Sequence, residues 1–394
     1  MSPPATESED PMARLPPNLV ARFTQALKTY QLSNSTFRVL CSLPATPAPT
    51  HAAASLDTRS VLTPLPPHHP TKSILVLDSS FNPPTLAHQR MALSALADPR
   101  YGGAGEDSED GRQQSRLLLL LAINNADKAP KPAAFPQRLA MMYVFAQDLL
   151  AAAAAATTTQ NQEEYCNGNE GERDESTPGR SPPGCAAVDI AVDIAVTTEP
   201  YFHAKSNAIS TCDFYRGTTL ATSSTTTTTS HTSSRQEAHQ QQSQQSPQAP
   251  EQIYLTGFDT LIRIFDPKYY PSAADGGIAS ALDPFFAHAR LRVTTRPDPS
   301  WGDVPAQRAY LARLRDGELT RMGGRAEWAD RVEMVDGGEG EEEETAVSST
   351  KVRDAVLRAD WEALGRLVSP GVRAWVRGQG LYGEGEGEGE DGAR

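Results

Sequence analysis

Ser73-Ile74-Leu75-Val76-Leu77-Asp78 is a short apolar run that opens into Ser79-Ser80-Phe81-Asn82-Pro83-Pro84 and then into Thr85-Leu86-Ala87-His88, the head of a helical pattern reaching Ala97. An apolar run without polar alternation is the pattern of a strand covered on both faces, as in a parallel sheet. The same unit of strand, loop and helix recurs. Residues 116–123 predict a second buried strand, followed by a helix over about 136–149. Further strands are expected over 187–196, 252–256, 291–295 and 332–335, with helices over 260–265, 305–315 and 349–359. Such repetition predicts an α/β fold, a doubly wound parallel sheet with helices on both faces. An amphipathic helix over 17–31 is expected to pack on its outside. Ligands of open sheets lie beyond the carboxyl ends of the strands, so the loops after Asp78, Ile123, Thr256 and Val335 are the ones expected to carry chemistry.

Between these units the composition changes abruptly. Residues 101–112 are Gly and acid, 157–184 mix Thr, Gln, Asn, Glu, Gly and Pro, and 218–250 are nearly all Thr, Ser, Gln and His. Segments so poor in apolar surface cannot offset the entropy of ordering, and they are expected to be disordered insertions. Residues 337–344 form an acidic run and 383–394 a Gly-Glu tail. The expected organisation is therefore an N-terminal helix and Pro-rich linker over 1–70, an interrupted catalytic domain over 71–382, and an acidic tail over 383–394. The whole chain of 394 residues has a net charge of −13. Its five acidic segments (1–10, 106–112, 163–180, 337–344 and 383–394) together carry −19, which leaves +6 on the remainder. That is too little for a nucleic-acid coat but suits a site that gathers phosphates.

No apolar run approaches the roughly 18 residues of a membrane helix, and the first ten residues carry Pro and acid where a signal peptide has basic and then apolar residues. Cys41, Cys166, Cys185 and Cys212 form no C-x-x-C pair. A protein of the cytoplasm or nucleus, not secreted, without a membrane or nucleic-acid partner and without disulfides, is expected. Nothing in the sequence sets an oligomeric state.

The loop after Asp78 places His88 about one turn into a helix, where free backbone N–H groups and the helix dipole favour an anion. Thr85, three residues earlier, lies on the same face and can offer a hydroxyl to that anion. Asn82 and the backbone of Ser79, Ser80 and Phe81 form a tight bend that can approach a phosphate. An ordinary turn with a capping histidine is the simpler alternative for any isolated T-x-x-H. Near the other end, Val347-Ser348-Ser349-Thr350-Lys351-Val352-Arg353 is a serine-rich helix start with a cation one turn on, a second cradle for phosphate oxygens.

Together these two segments resemble the G-x-F-[ND]-P-x-[HT]-x-x-H and I-S-S-T-x-I-R signatures of the nicotinamide mononucleotide adenylyltransferase family, part of the nucleotidyltransferase superfamily. The resemblance spans 73–382 and is nearest to the divergent fungal branch. Ser79 stands where the first signature has Gly. Tyr254-Leu255-Thr256-Gly257-Phe258-Asp259 resembles the family's strand-G-x-D segment, in which Gly257 lets ATP near the backbone and Asp259 accepts from ribose hydroxyls. Pro267 and Tyr270 stand at the family's Pro and nicotinamide-stacking positions. Residues 291–296 resemble its V-x-V-T-R strand, and Asn124-Asn125-Ala126-Asp127-Lys128 with Arg138 resembles its V-N-D-A-Y…K…R segment. Either Lys128 or Lys131 could reach a phosphate there, and His203 and Lys205 could border the mononucleotide pocket.

The resemblance implies a Rossmann-like sheet of nucleotidyltransferase type and adenylyl transfer from ATP to nicotinamide mononucleotide, giving NAD and pyrophosphate. It implies His88, Thr85 and Asn82 at the α-phosphate, and Ser79, Ser80, Phe81, Gly257, Asp259, Ser348, Ser349, Thr350 and Arg353 around ATP. Lys128 and Tyr270 would serve the mononucleotide, and Mg²⁺ would enter bridging the leaving phosphates, with no protein ligand assigned. Two alternatives stay open: another small-substrate nucleotidyltransferase, or a degenerate ATP-binding or ATPase regulatory protein.

Overall fold

The computed structural model describes residues 15–44, 62–67, 70–102, 115–124, 132–167, 190–216, 249–296, 300–337 and 347–383. Most of the expected insertions, the C-terminal tail, Lys128 and Lys131 lie outside the described residues. Seven strands form one sheet: β1 (Phe37–Leu43), β2 (Ser73–Asp78), β3 (Ser115–Ala122), β4 (Ala191–Thr197), β5 (Glu251–Gly257), β6 (Ala289–Thr295) and β7 (Val332–Asp336), in the order β1-β4-β3-β2-β5-β6-β7. From β4 to β7 all neighbours are parallel.

Why the strands are continuously apolar is visible in which way each side chain points. On β2, Leu75 and Leu77 enter one core, while Ile74 and Val76 enter the other. On β3, Leu117, Leu119 and Leu121 face the first core, and Leu118 and Leu120 the second. A period of two with both faces covered demands apolar residues at every position. The first face is covered by α1 (Leu19–Gln31), α2 (Leu86–Leu96), α3 (Phe135–Asn167), α8 (Ser349–Leu357), α9 (Trp361–Leu367) and α10 (Pro370–Gly378). The second is covered by α4 (Phe202–Thr211), α5 (Phe258–Ile264), α6 (Gly277–His288) and α7 (Val304–Arg313).

Several expected elements appear within a few residues of their bounds, and β2 coincides with them. α1 buries Leu19, Phe23, Leu27 and Tyr30, spaced for one helical face, and the Phe23 ring meets Tyr143 of α3 edge-on at 6.5 Å. β1 was not expected: Phe37-Arg38-Val39-Leu40-Cys41-Ser42-Leu43 alternates poorly and precedes a Pro-rich stretch, yet it pairs antiparallel with β4 at the sheet edge, with a register shift between Val39 and Cys41. The sheet is thus parallel apart from one edge. α6 was masked by its breakers. It starts at Gly276, whose φ of 98° suits glycine, and carries Pro284 inside, tolerated because Pro284 and the Ser280 carbonyl it cannot reach lie on the exposed side. α3 continues to Asn167, past residue 157 where the sequence suggested an insert. Its Phe135–Ala156 portion is long and apolar enough by composition to cross a membrane, a property the sequence hid by splitting the run around Asp148. Here it is the central helix of the first core, with Leu139, Met141, Met142, Phe145 and Leu149 buried.

The chain reverses its winding between β2 and β5, the point where a crevice opens at the carboxyl ends of open sheets. At the opposite, amino end, the Thr71 amide donates to the Tyr215 carbonyl (3.2 Å) and the Glu251 amide to the Lys72 carbonyl (2.8 Å). Toward the antiparallel edge, Arg116 of β3 pairs in a fork with Asp193 of β4, Nε to Oδ2 at 2.7 Å and Nη2 to Oδ1 at 2.6 Å. Ser42 of β1 donates to the same carboxylate (2.6 Å), and Arg116 Nη2 reaches the Leu65 carbonyl (3.1 Å). Both charged side chains are almost fully buried. Removing one partner leaves the other charge stranded, so Arg116→Met or Asp193→Leu should each cost about 3–5 kcal/mol of unfolding free energy in urea titrations. The paired Arg116→Met/Asp193→Leu variant should recover much of that loss.

Candidate functional site

The loop after β2 is built around one strained residue. Phe81 has φ 45°, in the left-handed region that a bulky side chain seldom adopts. Its ring is fully buried and lies 5.5 Å from the His88 ring, so packing holds the bend. The strain turns the backbone so that Ser79 and Ser80 lie over the crevice, Ser80 exposed and Ser79 half-buried.

His88, at the third position of α2, is fixed at both nitrogens. Nδ1 accepts from the Thr85 amide (3.0 Å) and lies 2.8 Å from Thr85 Oγ1, while Nε2 lies 2.8 Å from Ser79 Oγ. An amide can only donate, so Nδ1 is unprotonated and the single proton of the neutral ring sits on Nε2, facing Ser79. This is the reciprocal half of a capping box, with histidine at the position that Glu or Gln usually fills. Burial first, and the Arg296 charge second, push the imidazole down to about 4.

Thr85 and Asn82, expected to face the anion, point elsewhere. Thr85 is 1% exposed and turned onto the imidazole, which it orients. The Asn82 carboxamide oxygen accepts from the Tyr382 hydroxyl (2.8 Å) inside the core. Capping and burial decide both orientations, and spacing along the chain does not reveal either.

The bend after β2 and the serine-rich start of α8 meet directly. Ser349 Oγ donates to the Pro83 carbonyl (2.8 Å), and Arg353 Nη1 to the Asn82 carbonyl (2.8 Å). Arg353 Nη2 also reaches Thr350 Oγ1 (3.1 Å), and Ser348 caps α8 by accepting from the Lys351 amide (3.3 Å). Ser349 and one arm of Arg353 are thus spent on holding the turn, with Ser348 and Thr350 beside them at the helix start. Arg296, just beyond β6, joins them: its Nη1 donates to the Val347 carbonyl (3.4 Å) and its charge acts on His88. The sequence pointed to its strand without assigning it a role; a cation directly after a parallel strand was the available signal.

Across the crevice, Gly257 ends β5 and caps α5. A Cβ on it would lie 2.8 Å from Asp259 Oδ1, so glycine is what lets that carboxylate fold back over the strand end. Lys205, expected to border the mononucleotide pocket, is buried against Asp78 (2.6 Å) and its charge is already matched. His203 stacks on Tyr201 (5.7 Å, 7° between planes) and lies 5.8 Å from the Tyr270 ring. The Tyr270 hydroxyl is bonded to the Ile264 carbonyl, which fixes its ring beside His203. Pro267 opens the short turn leading to it. Arg138 is buried in the first turn of α3, bonded to the Ala133 carbonyl (2.7 Å); burial lowers its guanidinium, and Arg353 adds to that. Among the described residues no group of three or more His, Cys, Asp or Glu could hold a metal ion.

No family model matches the chain. A curated protein of Schizosaccharomyces pombe, named "Putative nicotinamide mononucleotide adenylyltransferase", is 28% identical over 300 residues, covering 75% of this chain and 81% of the relative. Among solved structures, Plasmodium falciparum nicotinic acid mononucleotide adenylyltransferase superposes in complex with NaAD (TM-score 0.36, 10% identity) and with APC (TM-score 0.34, 8% identity), each over 79% of this chain and 98% of the other. Superpositions this loose bear no further weight. The chain resembles the nicotinamide mononucleotide adenylyltransferase family.

The low imidazole value has a thermodynamic signature. Unfolded histidine binds its proton near pH 6.5 and His88 near 4. Between those values the unfolded chain binds more protons, so stability falls as pH drops from 6.5 toward 4 and is unaffected above 6.5. An NMR titration should show the His88 ring neutral down to about pH 5, and His88→Gln should lack this component of acid destabilisation.

Proposed function

We propose that the protein transfers the adenylyl group of Mg-ATP to nicotinamide mononucleotide. An oxygen of the mononucleotide 5′-phosphate forms a bond to the α-phosphorus, and the bond to the bridging oxygen of the β-phosphate breaks. Pyrophosphate leaves with the electron pair, and NAD remains. The observation that carries this reading is the direct docking of the Ser349 and Arg353 side chains on the Pro83 and Asn82 carbonyls beside His88. It gathers two separate anion cradles at the point where an open sheet takes its ligands.

The work of such a site is alignment of two polyanions and stabilisation of charge on the group in transfer. His88 stands at the α-phosphate, oriented by Thr85; Asn82 supports the bend from within the core. Ser348, Thr350 and Arg353, with Arg296 near them, hold the β and γ phosphates. Asp259 accepts from the ribose hydroxyls, and the Tyr201–His203 stack with the tilted Tyr270 ring beside it gives the pyridine ring a flat partner. Lys128 would come from the loop after β3. The hydroxyls and guanidiniums at the α8 start suit phosphate oxygens rather than a cation, so Mg²⁺ would arrive on the triphosphate and offset the charge of the leaving pyrophosphate.

A second reading is favoured by one observation: Ser79 Oγ occupies the imidazole N–H that a phosphate would need. A degenerate ATP binder or slow ATPase would look like this. Incubation with Mg-ATP and nicotinamide or nicotinic acid mononucleotide in turn separates the two, since only adenylyl transfer makes pyrophosphate release depend on the mononucleotide. His88→Ala should lower dinucleotide formation by about 100-fold or more with an unchanged circular dichroism spectrum. Arg353→Met should chiefly raise KM for ATP and also lower the unfolding midpoint, because the Asn82 carbonyl loses its donor.

A further inference from the structure

Resting on the adenylyl-transfer reading, we propose that Ser79 is a catalytic residue: its hydroxyl, and not the His88 imidazole, meets a non-bridging oxygen of the phosphoryl group in transfer, with His88 acting through it. His88 has one ring proton to give. Thr85 fixes it on Nε2, and Nε2 is 2.8 Å from Ser79 Oγ. The ring therefore presents no N–H to the crevice as it stands. A serine hydroxyl that accepts one hydrogen bond still has its own hydrogen to donate, and among the described residues no acceptor takes it. Ser79 lies between the imidazole and the crevice, directly after β2 at the point where the sheet reverses its winding, with Ser80 exposed beside it.

A donor polarised by a second donor behind it is stronger than either alone. The chain imidazole N–H to serine O–H to phosphoryl oxygen carries partial positive charge outward by one hydroxyl, while burial first, and the Arg296 charge second, keep the imidazole neutral and in its donating form. No proton needs to change owner. Glycine at residue 79 would expose the imidazole N–H directly, but an oxygen placed to meet the serine hydroxyl would then be one atom layer too far from the ring. The serine and the position of the phosphate therefore belong together, and the Thr85–His88–Ser79 series of hydrogen bonds works as one device rather than as a histidine with an obstructing neighbour.

The test compares Ser79→Ala, Ser79→Gly, His88→Ala and the double variant Ser79→Ala/His88→Ala for kcat and KM in dinucleotide formation, alongside ¹⁵N spectra of the His88 ring. Both Ser79 variants should lose about 100-fold in kcat with KM for ATP changed less than threefold. The double variant should be no slower than His88→Ala within about twofold, because the two residues act in series. The Nε2 resonance should report a protonated, hydrogen-bonded nitrogen in the wild type and should shift in Ser79→Ala at unchanged thermal stability. Ser79→Ala or Ser79→Gly at or above the wild-type rate, or multiplicative losses in the double variant, would overturn the role of Ser79. A wild type that makes no dinucleotide would overturn the adenylyl-transfer reading instead, and the ring spectra would still decide whether Ser79 takes the imidazole proton.

Discussion

Two carbonyl groups organise the molecule. The turn at Asn82 and Pro83 must satisfy its main-chain oxygens, and no neighbouring residue of the bend does so. Donors for these carbonyls come from residues 266 and 271 positions further along the chain, Ser349 and Arg353. A buried carbonyl without a donor costs on the order of 1–3 kcal/mol, so the start of α8 and the bend after β2 are each completed by the other. Everything between them in sequence has to leave that meeting undisturbed. The strained Phe81 is tolerable for the same reason: its ring is held by the core while Arg353 holds the carbonyl next to it.

The parallel strands were legible because burial on both faces requires uninterrupted apolar residues, and Ser73–Asp78 could be bounded to the residue. β1 was not, because an edge strand has no such requirement and Arg38 and Ser42 interrupt it. α6 was hidden by Gly276, Gly277 and Pro284; the exposed placement of Gly276 and Pro284 makes them harmless only in three dimensions. At the site, the spacing of Thr85 and His88 and of Ser349 and Arg353 announced which residues would gather. It did not announce direction. Thr85 turned to the imidazole, Asn82 to Tyr382 and Lys205 to Asp78, each because a buried polar group takes the partner that burial leaves it.

Positive charge around the crevice follows a pattern of deliberate excess. The Arg296 charge disfavours protonation of His88, and the Arg353 charge lowers the Arg138 guanidinium. Among the described residues no carboxylate is paired with Arg296 or Arg353, and their charge agrees in sign with the net +6 outside the acidic segments.

The hydrogen bonds from Thr71 to Tyr215 and from Glu251 to Lys72 bring the two ends of the Thr-, Ser- and Gln-rich segment to adjacent residues at the amino end of β2. The candidate site lies beyond the other end of that strand, about 20 Å away at roughly 3.3 Å per residue. Closing a flexible loop costs only about 0.6 kcal/mol more for each doubling of its length. Chain between these two anchors can therefore be lengthened, shortened or exchanged for a whole folded module while both anchors, and the candidate site at the far end of β2, stay where they are.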